Sequence, residues 1–166
     1  MKIVISREIC SILSKELKMA GDREIGGVLV GEHLGEGRFQ VADLSVQRHG
    51  GTRSSFDRDP KLHRAFITEF YNRTGHDYAR FNYLGEWHSH PTYLAYPSAY
   101  DVGSMQSIVE QPEVHVDFAL LLVVKRRFWR GLEASATIFR PAERPAPILL
   151  ERPSGYRGPR YLHQLL

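Results

Sequence analysis

A chain of 166 residues has room for one domain with a buried core and is short for two. Its 42% hydrophobic and 25% charged content excludes a disordered polymer. The formal charge of +3 comes with no dense basic block on any predicted helix or loop, so no nucleic-acid partner is expected.

Residues 2 to 5 predict a short strand, and the apolar opening Ile3-Val4-Ile5 stops at Ser6-Arg7, too short for a signal peptide or a membrane span. No membrane partner is expected. Ser6 then caps a helix with apolar positions Ile9, Ile12, Leu13, Leu17 and Ala20, which Gly21 ends. The single cysteine, Cys10, lies in this helix and cannot form an internal disulfide, which fits a reducing compartment and a cytoplasmic protein. Residues 25 to 31 and 38 to 47 predict a hairpin through the turn-rich His33-Leu34-Gly35-Glu36-Gly37, with Glu24 at its entry. Taken alone, Glu24 reads as a surface carboxylate at a strand end.

Residues 48 to 59 lack periodicity and read as a loop. Asp59-Pro60 opens a helix whose predicted buried stripe is Leu62, Phe66, Ile67 and Phe70. A strand follows over 81 to 90, then a helix over 98 to 110 entered through Pro97-Ser98, then apolar stretches at 114 to 124 and 127 to 139. The run from Phe118 to Val124 has little polar alternation, as a strand covered on both faces requires. This mixture predicts an α/β single-domain sandwich, a central mixed β-sheet flanked by helices. Beyond Arg140 the composition turns to proline, arginine and glycine. Residues 1–139 are therefore expected to form the domain, and residues 140–166 an arm packed on it or a free tail.

The chemistry concentrates between Tyr83 and Asp101, in YLGEWHSHPTYLAYPSAYD. Strand side chains two apart share a face about 6.6 Å from each other, so His88 and His90 face one point, while Trp87 turns to the core. Zinc takes histidine nitrogen at about 2.0 to 2.1 Å, and Asp101 on the next element supplies a third donor. Two histidines and one aspartate leave a fourth position for water, the arrangement of a catalytic zinc site. Each half has an ordinary alternative. Ser98 and Asp101 suit a helix start, and a histidine pair suits packing or the surface. The combined spacing is what favours the metal. Glu86, two residues before His88, shares the ligands' face and is the nearer acid by local geometry, either as a base or as a partner orienting an imidazole.

His88-Ser89-His90-Pro91 followed by Ser98-x-x-Asp101 resembles the JAMM motif of the MPN-type metallopeptidases, and Glu24-Ile25-Gly26-Gly27 resembles the family's earlier glutamate motif. Specific likeness is confined to residues 24 to 31 and 85 to 101, within a similar element order over residues 1 to 139. The resemblance implies a cytidine-deaminase-like MPN fold and one zinc held by His88, His90 and Asp101. It makes Glu24 the general base and Ser98 the oxyanion donor, with Glu86 at the periphery.

The phrase Gly85-Glu86-Trp87-His88-Ser89-His90-Pro91 looks like the prokaryotic branch, whose members accompany E1-like and E2-like proteins, including in antiphage operons. The implied partner is a ubiquitin-like protein or its conjugate, removed from a target or trimmed. The long second insertion of polyubiquitin-cleaving members has no counterpart around Gln111-Pro112-Glu113, so linkage selectivity is not expected. A modifier tail would add as an extended strand, with Arg53 and Phe56 of the 48 to 59 loop covering the groove or merely solvated. A non-catalytic MPN-type scaffold, or a hydrolase acting on a sulfur-carrier precursor or small peptide, are the alternatives.

Overall fold

A computed structural model describes residues 1–112, 116–127 and 131–151. In chain order the elements are β1 (Lys2–Ile5), α1 (Arg7–Ala20), β2 (Gly26–Gly35), β3 (Arg38–Leu44), α2 (Pro60–Arg73), β4 (Phe81–Ser89), α3 (Ala99–Glu110), β5 (Ala119–Arg127), β6 (Gly131–Phe139), β7 (Ala146–Pro147) and β8 (Leu149–Glu151). The strands form one mixed sheet in the order β7-β6-β5-β4-β2-β3-β1-β8.

Strand β5 shows why the molecule is layered. Leu120, Leu122 and Val124 join Ile9, Leu13 and Leu17 of α1 in the larger core. Ala119, Leu121 and Val123 point the other way, onto Met105 and Val109 of α3. A strand between two helices must be apolar on both faces, and each fully buried aliphatic side chain adds about 1.5–3 kcal/mol. The α/β sandwich expected from the pattern of elements is the fold observed, with helices on both sides of the sheet. Because β7 and β8 are separated only by Ile148, one short segment runs along both outer strands: Ala146 pairs with Ile138 of β6, and Leu149 with Lys2 of β1. The sheet therefore curls around α1, whose apolar stripe fills the concave side.

Strands β4 and β5 are parallel, and α3 is the crossover between them. A right-handed helix leaving the carboxyl end of a strand starts near that end, so the last residues of β4 and the first turn of α3 meet at one edge of the sheet, where open α/β sheets place ligand sites. Alternation along β4 is interrupted at Gly85. Its φ of +147° and its approach to β5, where a Cβ would come within 2.1 Å of the Leu120 carbonyl, require glycine.

Several boundaries and one stripe differ from the sequence expectation, with β2 running on to Gly35 and β3 ending at Leu44. Strand β4 ends at Ser89, and the late apolar stretches resolve into β5 from Ala119 and β6 from Gly131, with 113–115 and 128–130 outside the described residues. On α2 the buried residues are His63 and Phe70, whereas Leu62 is exposed and Phe66 and Ile67 are half-buried. Only a narrow stripe of α2 rests on β2 and β4, and its first turn faces polar groups from the preceding loop, so a hydrogen-bonded histidine takes the place expected for leucine. Among the described residues no helix is long and apolar enough to cross a membrane.

Candidate metal centre and catalytic cleft

His88 lies at the end of β4 and His90 just past it, and the first turn of α3 carries Asp101. Both helix-start chemistry and donor chemistry are present at once. Ser98 Oγ accepts the Asp101 N–H at 3.1 Å, and Asp101 Oδ2 accepts the Ser98 N–H at 2.6 Å, a reciprocal capping box. The same carboxylate lies 3.5 Å from His88 Nε2 through Oδ1 and 3.6 Å from His90 Nε2 through Oδ2. The two Nε2 atoms are 3.1 Å apart. The cap thus holds the aspartate where the histidines converge.

Donor atoms of His88, His90 and Asp101 lie within 4.8 Å of one another, a group able to hold a metal ion. Around tetrahedral zinc with bonds near 2.0–2.1 Å, neighbouring donors stand about 3.3 Å apart, close to the three separations here. The tautomer also fits. His90 Nδ1 lies 2.9 Å from the Leu94 carbonyl, which can only accept, so Nδ1 carries the hydrogen and Nε2 presents its lone pair to the cluster.

Burial would push the Asp101 carboxyl up, but the nearby imidazoles of His88 and His90 and the bond from Ser98 outweigh it and hold it well below the ordinary carboxylate range. His90 is shifted up. Burial opposes the shift, and Asp101, the Leu94 carbonyl and Glu24 overcome it.

Glu24 is buried, 4% exposed, just ahead of β2. Burial raises its carboxyl above the ordinary value, and Asp101 adds to this, against the pull of His90 and His88. Its approach depends on glycine. A Cβ on Gly26 would stand 2.4 Å from the Trp87 carbonyl and 2.6 Å from the Phe56 ring, and one on Gly27 would strike the Ser45 carbonyl at 2.1 Å. The Glu-x-Gly-Gly sequence therefore lets the glutamate's strand close onto β4 at Gly26 and onto the residue after β3 at Gly27.

A cleft of about 560 Å³ is lined by Glu24, His90, Ser98 and Asp101, with Phe56, Tyr93, Leu94 and Tyr100 among its walls. His88 lines a neighbouring cavity of about 260 Å³ with Glu86 and Arg58, and Phe56, Asp57, Tyr100 and Asp101 border both. Glu86 faces the Arg58 guanidinium at 2.5 Å, and burial raises its carboxyl against the pull of that cation. The two acids of the sequence reading are thus separated, one beside the open cleft and one neutralised by arginine. Of the two loop residues named for the groove, Phe56 lines the cleft, whereas Arg53 turns outward to pair with Asp22.

Sequence reasoning missed three contributors. Ser89, between the histidines, gives its hydroxyl to the strand of Glu24 as an acceptor for the Ile25 N–H at 3.0 Å. Its core-facing position was the available signal. Tyr100 OH donates to Asp57 Oδ1 at 3.2 Å, closing the loop against α3, and Arg58 meets Glu86. Neither contact has a local signature.

Residues 6–132 match the family model of prokaryotic homologues of the JAB domain. A Vibrio cholerae serotype O1 protein named CD-NTase/cGAS isopeptidase is 32% identical over 124 residues, covering 72% of this chain and 75% of that relative. A protein of the same name from Enterobacter hormaechei subsp. hoffmannii is 31% identical over 114 residues, 64% of this chain and 57% of the relative, so the chain spans little more than half of its length. A solution structure of a Desulfitobacterium hafniense protein shares the fold, with a TM-score of 0.65 at 16% identity over 93% of this chain and 95% of that one. The glutamate, the two histidines and the capped aspartate are therefore found together in a chain that belongs to the family of prokaryotic homologues of the JAB domain.

Proposed function

We propose that this protein is a zinc-dependent isopeptidase that hydrolyses the bond after the C-terminus of a ubiquitin-like modifier, and that the modified target is a nucleotidyltransferase of the kind named in its relatives. The observation that carries the reading is the shared cleft. A buried glutamate, a capping serine and the carboxylate and imidazole of a three-donor cluster line one cavity. His88, His90 and Asp101 would hold the zinc, which when bound acidifies water and polarises a carbonyl.

Glu24 takes a proton from the attacking water as the new C–O bond forms, and gives it to the leaving lysine amine as the C–N bond breaks. A carboxyl raised by burial is a better base for this exchange than an ordinary exposed one. Ser98 Oγ accepts the Asp101 N–H, which leaves its own hydrogen to donate to the developing oxyanion. Glu86, neutralised by Arg58, takes no proton in this scheme. Phe56, Tyr93 and Leu94 give the extended tail apolar walls.

The test is cleavage of a ubiquitin-like domain joined through its C-terminal glycine to a fluorescent protein. Cleavage is expected with zinc, lost with a chelator and restored by added zinc. A zinc-loaded protein that binds the fusion without cutting it would make the chain a scaffold instead.

A further inference from the structure

We propose that Ser89 is a positioning residue that sets the place of Glu24 relative to the metal cluster, an inference that rests on the peptidase reading above. Glu24 and Ile25 precede the first residue of β2, so the regular ladder does not hold them. One residue of β4 does. Ser89 N–H donates to the Ile25 carbonyl at 2.8 Å, and Ser89 Oγ accepts the Ile25 N–H at 3.0 Å.

Ile25 and Ser89 are each 1% exposed, so water cannot replace either bond. On the outer side the Glu24 N–H donates to the Thr52 carbonyl at 2.6 Å. The base is therefore fastened through its neighbour to the residue between His88 and His90. Any movement of that strand end carries ligands and base together. Without the hydroxyl, a buried N–H loses its acceptor and the segment holding the carboxylate shifts off the cluster. Misplacement by about 1 Å can cost about 100-fold in rate.

Single variants and one double variant test this on the zinc-loaded full chain, with the ubiquitin-like fusion as substrate. Ser89→Ala is expected to lower kcat about 10- to 100-fold, leave KM within about twofold and retain zinc. It should also accelerate hydrogen exchange of the Ile25 amide, and Ser89→Thr should restore both. Ser45→Ala is the control away from Glu24. Ser45 Oγ accepts the Val28 N–H at 2.9 Å, the same kind of bond further along β2, and also meets His63 Nδ1 at 2.6 Å, so its loss should lower the melting temperature more than Ser89→Ala does while kcat falls less than in Ser89→Ala.

In a Glu24→Gln background, Ser89→Ala should add no further loss, because a residue acting through Glu24 has nothing left to position. If Ser89→Ala does not fold, Ser89→Cys carries the same expectation, since a thiol is a weak acceptor of similar size. Full activity in Ser89→Ala, an equal loss in Ser45→Ala, loss of zinc, or an additive double variant would each overturn the proposal. If the wild type binds zinc and never cleaves, the peptidase reading fails. The Ile25 exchange rates would still decide whether the hydroxyl holds that strand end.

Discussion

Buried His63 and the buried pair His88 and His90 differ in what their ring nitrogens meet. His63 is 2% exposed, with Nδ1 2.6 Å from Ser45 Oγ and Nε2 3.3 Å from Gln47 Oε1. Ser45 donates to one nitrogen and the other donates to Gln47, so the neutral ring is satisfied on both sides. Burial, aided by the Arg58 charge, lowers His63 to about 4. Gln47 in turn accepts from the Asp59 N–H and donates to the His49 and Asp57 carbonyls, so His63 braces the loop from behind. His88 and His90 are almost as buried, yet their Nε2 atoms point at each other and at Asp101, beside a cleft. Burial alone does not separate a braced ring from one able to bind a metal. The partners of its ring nitrogens do.

The strongest way to break this contrast is to remove a donor. His88→Ala or Asp101→Ala should lose bound zinc and reduce cleavage of the ubiquitin-like fusion to background, while His63→Gln and the wild type should both bind zinc one-to-one, by elemental analysis. Equal zinc loss in His63→Gln would erase the distinction. The two acids are contrasted next. Glu24→Gln should keep zinc and lower kcat about 10²–10⁴-fold. Glu86→Gln should keep kcat within about tenfold while leaving the Arg58 charge unpaired, at about 3 kcal/mol in urea unfolding. A reversed pattern of rates would make Glu86 the base.

Ser98→Ala sharpens the question of what the capping serine contributes beyond its cap. The lost helix cap should cost about 1 kcal/mol in stability, whereas kcat should fall about 100-fold if the hydroxyl also serves the oxyanion. A fall of less than about threefold would confine it to the cap.

The last effect, on stability against pH alone, concerns His63 itself. Its folded value lies below 6.5, so the unfolded chain binds the extra proton between 6.5 and about 4, and stability falls as pH falls through that window. The contribution is about 3 kcal/mol at most. His63→Gln should flatten that part of the stability profile against wild type. An unchanged slope would mean that other groups carry it.

Local patterns were enough for much of this molecule. The capped starts at Ser6, Asp59 and Ser98, the doubly apolar β5, and the spacing of His88, His90, Ser98 and Asp101 are all properties of short stretches, because caps, alternation and ligand reach act over a few residues. What lay beyond that reach was set by packing. The exposure of Leu62 and the burial of His63 follow from which narrow face of α2 meets the sheet. The neutralisation of Glu86 by Arg58 and the outward turn of Arg53 depend on how a glycine- and serine-rich loop folds back across β4.

By itself, the order of residues determined the elements, the mixed layered architecture and which side chains are able to share an ion. Only the tertiary structure decided which carboxylate stands beside the cleft and what fastens it there. Ile25, the neighbour of Glu24, and Ser89 are 64 positions apart, and hydrogen bonds across that distance in the chain exist only once the curled sheet has brought β2 beside β4.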